Sequence, residues 1–309
     1  MKLISIVTAC YNEEENVETI YKAVKLIFDN LSGYSYEHIF IDNASKDKTV
    51  EILKRIAQND KNIKIIVNTR NFGHIKSPFY GLLQAKGDAV ISIVADLQDP
   101  PELIVDFINR WEQGSKIVAG IKKQSKESSI MFGVRKLFYN IIGNLSEVEQ
   151  LKNFTGFGLY DKQIIQILRT IDDPYPYFRG LIMDIGFDIA KVEYIQPARK
   201  HGITKNNFYS LYDMAMLGIT NHSKVPLRLA TMIGFFVSII SLFVAFGYFI
   251  YKLVFWNTFN VGLAPLVIGL FFFSSVQLFF IGIIGEYIGS IHTQVLKRPL
   301  VIEKERINF

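Results

Sequence analysis

Two carboxylates and an amide fall within four positions of Ala95-Asp96-Leu97-Gln98-Asp99-Pro100-Pro101-Glu102. The preceding run, Ala89-Val90-Ile91-Ser92-Ile93-Val94, reads as a buried parallel strand. Acidic and amide oxygens at the carboxyl end of such a strand lie where open α/β sheets bind ligands. Hard oxygen donors there suit Mg²⁺ or Mn²⁺, which usually arrive carrying phosphates. The competing reading is an Asp-rich turn capping a helix that begins at Pro100-Pro101.

Three further polar segments follow apolar strands: Tyr11-Asn12-Glu13-Glu14, Asp42-Asn43-Ala44-Ser45-Lys46-Asp47 and Arg70-Asn71-Phe72-Gly73. In a parallel sheet the return connections put all four segments on one edge. A carboxylate such as Asp42 accepts hydrogen bonds from a base or ribose, Gly73 permits close backbone approach, and Lys76 can neutralise phosphate. The chain has neither Gly-x-Gly-x-x-Gly nor a Walker loop, which argues against dinucleotide and P-loop chemistry. His74 and His201 lack a suitably spaced His partner and read as positioning or surface groups, not metal ligands.

These segments need a scaffold. Strands at Leu3–Ala9, His38–Ile41, Ile63–Val67, Ala89–Val94 and Ser115–Gly120 alternate with helices near Glu14–Asn30, Lys48–Gln58, Ile75–Ala85 and Pro101–Gln113. That rhythm predicts a doubly wound, mostly parallel sheet. Beyond Ile121 the pattern changes. Met131, Val134, Leu137, Phe138, Ile141 and Ile142 recur at helical spacing beside Arg135 and Lys136, which suits either a helix lying in a membrane interface or an ordinary packed helix. Phe208–Ile219 is a second such segment.

The mean hydropathy, +0.21, is high for a soluble chain of 309 residues. No charge occurs from Leu229 to Tyr251, nor from Leu253 to Gly285. Each stretch supplies the ~20 apolar residues that cross a bilayer as a helix. Lys224 and Arg228 precede the pair, and Lys297, Arg298, Lys304 and Arg306 follow it, so the positive-inside rule puts both termini in the cytoplasm. Tyr251, Trp256 and Tyr287 suit interfacial belts, and Glu286 suits a helix end at the headgroups sooner than a packing contact with the first helix. The single cysteine, Cys10, excludes an intrachain disulfide and suits a reducing compartment. A net charge of +5 beside a membrane anchor points to anionic headgroups or phosphorylated substrates sooner than to nucleic acid.

Thr8-Ala9-Cys10-Tyr11-Asn12-Glu13-Glu14, Asp42 to Thr49, Arg70 to Gly73 and Ala95 to Glu102 together resemble the GT-A family 2 glycosyltransferases. Within them the chain is most similar to the polyprenyl-phosphate group, which includes bactoprenol glucosyltransferases and dolichol-phosphate mannose synthases. The resemblance covers nearly the whole chain, including Gly282-Ile283-Ile284-Gly285-Glu286-Tyr287-Ile288-Gly289. It implies a Rossmann-like GT-A α/β catalytic domain at 1–225, with juxtamembrane amphipathic helices near 127–146 and 206–222. Two transmembrane helices near 229–251 and 263–285 would occupy 226–290, followed by a cytoplasmic tail at 291–309.

The implied activity is inverting transfer of a sugar from a nucleotide-sugar, UDP-glucose or a related UDP-hexose, to undecaprenyl phosphate. It would occur at the cytoplasmic face of a bacterial inner membrane with Mg²⁺ or Mn²⁺ bound. On this resemblance Ala9, Tyr11, Glu13, Asp42, Ser45, Asp47, Arg70, Gly73, Lys76 and Asp96 hold the nucleotide-sugar, and Asp96, Gln98 and Asp99 face the metal. Arg135, Arg179, Arg199, Lys200 and Lys205 meet the acceptor phosphate or the diphosphate. A homo-oligomer is compatible with the small residues Gly234, Gly247, Gly282 and Gly285, and a flippase and a glycan-modifying transferase would act downstream.

Two positions depart from the family pattern. Val94 stands where many relatives have an Asp, and Thr155-Gly156-Phe157-Gly158 replaces their Gly-Asp-Phe-Arg. Asp96 therefore carries the catalytic reading together with Asp184, the substitute for orienting acceptor or donor unless it is only a helix-end residue. The alternatives are a membrane-anchored nucleotide-sugar-binding scaffold without turnover, or a glycosyltransferase with another lipid or glycan acceptor. Two spans are too few for the usual channel of a polysaccharide synthase.

Overall fold

The computed structural model describes residues 1–123, 151, 153–197, 216, 220, 223–256 and 263–309. Four strand–helix units open the chain: β1 (Lys2–Cys10) and α1 (Val17–Asp29), β2 (Tyr34–Asp42) and α2 (Thr49–Asn59), β3 (Ile63–Asn68) and α3 (Gly73–Gln84), β4 (Ala89–Val94) and α4 (Leu103–Glu112). Then come β5 (Ile117–Lys122), β6 (Phe154–Asp161), α5 (Lys162–Thr170), α6 (Phe178–Asp184) and β7 (Ile189–Tyr194). Two long helices, α7 (Val225–Val254) and α8 (Leu263–Leu296), precede a last strand, β8 (Glu303–Ile307).

The helices form because apolar residues recur on one face: Val17, Ile20, Val24 and Phe28 of α1 are all buried. The central strands are apolar on both faces because helices cover both sides of the sheet. The strand order is β7-β5-β6-β4-β1-β2-β3-β8. Strands β1, β2, β3 and β4 run parallel, whereas β6 is antiparallel to β4 and β5, and β8 to β3. After β3 the chain crosses back over β1 to form β4, so the winding reverses between β1 and β4. The crevice outside their carboxyl ends is the ligand position of such sheets.

The expected doubly wound, mostly parallel sheet is present, with strand β2 longer than the His38–Ile41 predicted for it. Strand β8 lies within the segment expected as a tail, 291–309. Its Glu-Lys-Glu-Arg sequence lacks apolar alternation, which suits an edge strand guarded by charge. Side chains lock it down: Tyr80 donates to Glu303 at 2.8 Å, Arg306 to Gln84 at 2.9 Å, and Asn308 to the carbonyls of Ala57 and Ile63 at 2.8 and 2.9 Å.

Helices α7 and α8 are long and apolar enough to cross a membrane, and neither is buried by the rest of the fold. The Tyr287 hydroxyl donates to the Ser223 carbonyl at 2.7 Å, fixing their heights at the end nearer the sheet. Helix α8 runs past its expected end at 285 to Leu296. Glu286 is therefore an interior, half-buried helix residue and not a terminus. The upper turns of α8 meet the loop after α5, where Gln294 donates to Asp173 at 2.8 Å and Lys297 to Asp172 at 3.0 Å. The amphipathic segments expected near 127–146 and 206–222 lie outside the described residues, except Met216 and Thr220.

Candidate active site

Register places the expected segments along one edge. Ala9 pairs with Val94 and Cys10 with Asp42, so the loops after β1, β2 and β4 leave the sheet side by side. Each holds one non-glycine residue in the left-handed region: Asn12 (φ 54), Ala44 (φ 63) and Leu97 (φ 58). Such backbone costs of order 1–3 kcal/mol per residue and persists where neighbours enforce it.

The enforcement is visible in the hydrogen bonds. The Asn12 N–H donates to the Ser45 hydroxyl at 2.8 Å, and the Lys46 N–H to the Asn12 side chain at 2.8 Å. Ser45 in turn donates to Asp42 through its hydroxyl, and through its N–H at 2.9 Å. Burial pushes the Asp42 carboxyl upward, opposed by these Ser45 bonds. Its buried position at the end of β2 offers an acceptor at the crevice floor. Asp47 accepts from the Thr49 N–H (3.0 Å), the Thr49 hydroxyl (2.5 Å) and the Glu14 N–H (3.2 Å), so its oxygens brace the loops. Glu13 accepts from the Asn16 amide at 2.6 Å, and Tyr11 stands half-exposed beside it. The Cys10 thiol is raised by burial, then by Asp42, so it stays protonated and is no nucleophile.

The third loop is joined by Asn43, which the sequence reading did not single out. Its amide donates to Asn71 (2.9 Å) and to the Gly73 carbonyl (3.0 Å), and its oxygen accepts from the Phe72 N–H (2.8 Å). Gly73 has φ +89, a conformation that L side chains rarely adopt. Arg70 is exposed, with its guanidinium 4.0 Å from the Phe72 ring centre. Lys76 is half-buried, its ammonium 5.2 Å from the Tyr175 ring centre.

Beyond β4, Asp96 is buried and accepts from the Gln98 N–H at 3.1 Å. Asp99 is also buried, with one oxygen taken by the Tyr194 hydroxyl at 2.8 Å. Burial pushes its carboxyl up to about 6, against the pull of Tyr194 and Lys122. Among the described residues no three His, Cys, Asp or Glu side chains converge as a metal cage. The donor set of Asp96 and Gln98 fits an ion such as Mg²⁺ or Mn²⁺, which needs one or two protein ligands and takes the rest from phosphate and water. Asp99 has less to offer because Tyr194 occupies it.

The departures from the family pattern lie at the same edge. Val94 is 42 % exposed at the end of β4. Because β6 runs antiparallel, with Gly158 opposite Ser92, its first residues emerge beside Val94. Gly156 has φ +100, and a Cβ there would lie 3.4 Å from the Phe178 ring. Helix α6 meets this edge with its first residues: Phe178 packs on Tyr160, and Arg179 donates to the Phe154 carbonyl at 3.4 Å. Asp184 is exposed at the other end of that helix. Arg135, Arg199, Lys200, His201 and Lys205 lie outside the described residues.

A parallel sheet wound to both sides of β1, with an acidic loop beyond β4 and an antiparallel strand inserted beside it, is a GT-A-type Rossmann-like fold. The chain belongs to glycosyl transferase family 2, whose model matches residues 5–168, and it is a glycosyltransferase. It is 35 % identical over 303 residues to an SfII prophage-derived bactoprenol glucosyl transferase of Shigella flexneri, covering 98 % of this chain and 97 % of that one. A prophage bactoprenol glucosyl transferase homolog of Escherichia coli is 32 % identical over 302 residues, covering 97 % and 98 %. Among solved structures the fold is similar to glucosyl-3-phosphoglycerate synthase of Mycobacterium tuberculosis, crystallised with Mn²⁺, UDP-glucose and phosphoglyceric acid. That likeness has a TM-score of 0.51 at 20 % identity, over 71 % of this chain and 78 % of the other.

Proposed function

We propose that this glycosyltransferase moves a hexose, glucose first among the candidates, from a UDP-sugar to the phosphate of a membrane polyprenol, at the cytoplasmic face of a bacterial membrane. The observation that carries the reading is the tie between sheet and membrane helices. Strand β8, beyond the second span, pairs with β3, whose carboxyl end adjoins the crevice. A crevice fastened to a membrane helix serves an acceptor that arrives from the membrane. The near full-length similarity to bactoprenol glucosyl transferases supports the same acceptor.

In this reading the catalytic domain occupies 1–225, the spans lie within 226–290, and both termini are cytoplasmic. Asp42, with Tyr11, Glu13 and Ser45, takes the nucleoside, held by the braced loops after β1 and β2. Ala9 and Gly73 allow close backbone approach, and Asp47 stiffens the wall. Asp96, assisted by Gln98, holds the diphosphate end through a divalent ion, and Asp99 fixes this loop against Tyr194. The bound ion would neutralise charge on the departing diphosphate.

An acceptor phosphate oxygen attacks the anomeric carbon from the face opposite the diphosphate. The carbon–oxygen bond to the diphosphate breaks, UDP leaves with that electron pair, and the configuration inverts. A phosphate monoester is already ionised at neutral pH, so the acceptor needs no strong base, consistent with Gly156 at the family's Asp position. Arg179, with Arg135, Arg199, Lys200 and Lys205, is assigned to acceptor or diphosphate charge, while Asp184, exposed at the far end of α6 from this edge, is left with the helix-end role. Purified protein incubated with labelled UDP-sugars and undecaprenyl phosphate tests the reading: a lipid-extractable labelled product is expected, and none with any donor refutes it.

A further inference from the structure

Helix α8 rises well above the point where its partner begins. The Tyr287–Ser223 bond marks the level at which α7 starts. Residues 288–296 continue the helix beyond it, a further rise of roughly 14 Å at 1.5 Å per residue. Apolar side chains continue up one flank of this extension: Ile284, Ile288, Ile291 and Val295 are 46, 59, 60 and 73 % exposed. Their four-three-four spacing makes one stripe, a quarter turn from Tyr287 and Gln294, which face the protein. Surrounded only by water, a helix section of this kind would gain nothing from an exposed apolar stripe.

The stripe ends beneath cations from three chain segments. The chain turns at Lys297 (φ 46), and by Ile302 its carbonyl accepts from the Thr69 N–H at 2.9 Å. Arg298 is thus held between the Gln294–Asp173 and Ile302–Thr69 bonds, and like Arg70 it lies within electrostatic reach of Lys76. Lys76 lies over Tyr175, two residues from Asp173. Burial first, then Arg70 and Arg298, holds the Lys76 ammonium below the ordinary lysine range, with Asp173 opposing. The Asp173 carboxylate is itself engaged by Gln294 and the Tyr175 N–H. Three neighbouring cations repel one another, and a phosphate monoester among them relieves that repulsion.

We infer that this flank of α8 is the track by which the acceptor lipid climbs to the crevice, its polyprenyl chain on Ile288, Ile291 and Val295 and its phosphate among Arg298, Arg70 and Lys76. The inference rests on the polyprenyl-phosphate reading above. A glycerophospholipid, whose headgroup stays at the bilayer surface, cannot reach cations so far above it, whereas a long single isoprenoid chain can extend along the stripe.

The test uses full-length protein in phosphatidylcholine nanodiscs containing undecaprenyl phosphate. A photo-crosslinking benzoylphenylalanine at position 291 is expected to capture undecaprenyl phosphate, with excess phosphatidylglycerol failing to compete. The combined variant Ile288→Ser, Ile291→Ser, Val295→Ser should raise KM for undecaprenyl phosphate about tenfold, with kcat and UDP affinity nearly unchanged. Dimethylallyl phosphate, whose single isoprene unit is too short to lie along the stripe, should be affected by Arg298→Gln but barely by the stripe variant. An unchanged KM in the stripe variant, or equal competition by phosphatidylglycerol, overturns the track while leaving the proposed function intact. Capture at position 291 without turnover upholds the track and counts against the transfer reaction alone.

Discussion

The Asn12 N–H donates to the Ser45 hydroxyl at 2.8 Å, and that hydroxyl donates onward to Asp42. One short side chain thereby joins the loops after β1 and β2 and supports the buried carboxylate at the crevice floor. Left-handed Asn12 and Ala44 flank the link, so the backbone of both loops depends on it.

Ser45→Ala removes that link. Asp42, already pushed up by burial, loses its hydroxyl donor, and the Asn12 N–H loses its acceptor. The expected effect is about a tenfold rise in the Kd for UDP, roughly 1.4 kcal/mol, measured by titration calorimetry. An unchanged Kd contradicts the assignment of Asp42 to the nucleoside.

Asn43→Ala strips three hydrogen bonds from the loop before α3. A loss of about 1–3 kcal/mol in stability is expected, with faster amide exchange confined to the Arg70–Gly73 loop. Exchange that stays slow in that loop shows that Asn43 does not organise it.

Ending the chain at Ile302 removes β8 and its bonds to Tyr80, Gln84, Ala57 and Ile63. The crevice loops do not include β8, so UDP binding should survive, while transfer to a membrane-borne acceptor should fall about tenfold or more. Comparable losses of both, with a folded sheet by circular dichroism, refute the role of β8 as the tie.

His38 supplies a pH signature of the core beneath the site. Its Nε2 pairs with the Thr8 hydroxyl at 2.8 Å, and its Nδ1 has no hydrogen-bond partner among the described residues. Burial lowers its pKa from 6.5 to about 3. Between those values the unfolded chain takes up a proton that the folded chain does not, so stability falls as pH drops from 6.5 toward 3. Melting temperatures of the wild type and His38→Gln, measured from pH 7.5 to 4.5, should converge as the pH falls. Parallel curves contradict the buried neutral imidazole.

Much of this architecture was legible because its signals are local. Apolar strands followed by polar loops located β1 to β4 and the edge they share, and Asp96 and Asp42 followed from being acidic at strand ends. Charge-free runs marked α7 and α8. What escaped depends on contacts distant in sequence. Strand β8 is almost wholly polar and makes sense only against β3. Asn43 matters through Asn71 and Gly73, and Asp99 reads as a free ligand until Tyr194, 95 positions on, occupies one of its oxygens. Arg298 reads as an ordinary membrane-flanking cation, whereas the turn at Lys297 carries it within electrostatic reach of Lys76.

The most direct test of the account is sugar transfer by Asp96→Asn beside the wild type. Both would be assayed with UDP-glucose, undecaprenyl phosphate and Mn²⁺ or Mg²⁺ in nanodiscs, counting the labelled lipid product. The account predicts product from the wild type that disappears on chelation, and a loss of about a hundredfold or more in the variant with its fold intact. Turnover by Asp96→Asn at the wild-type rate would contradict it.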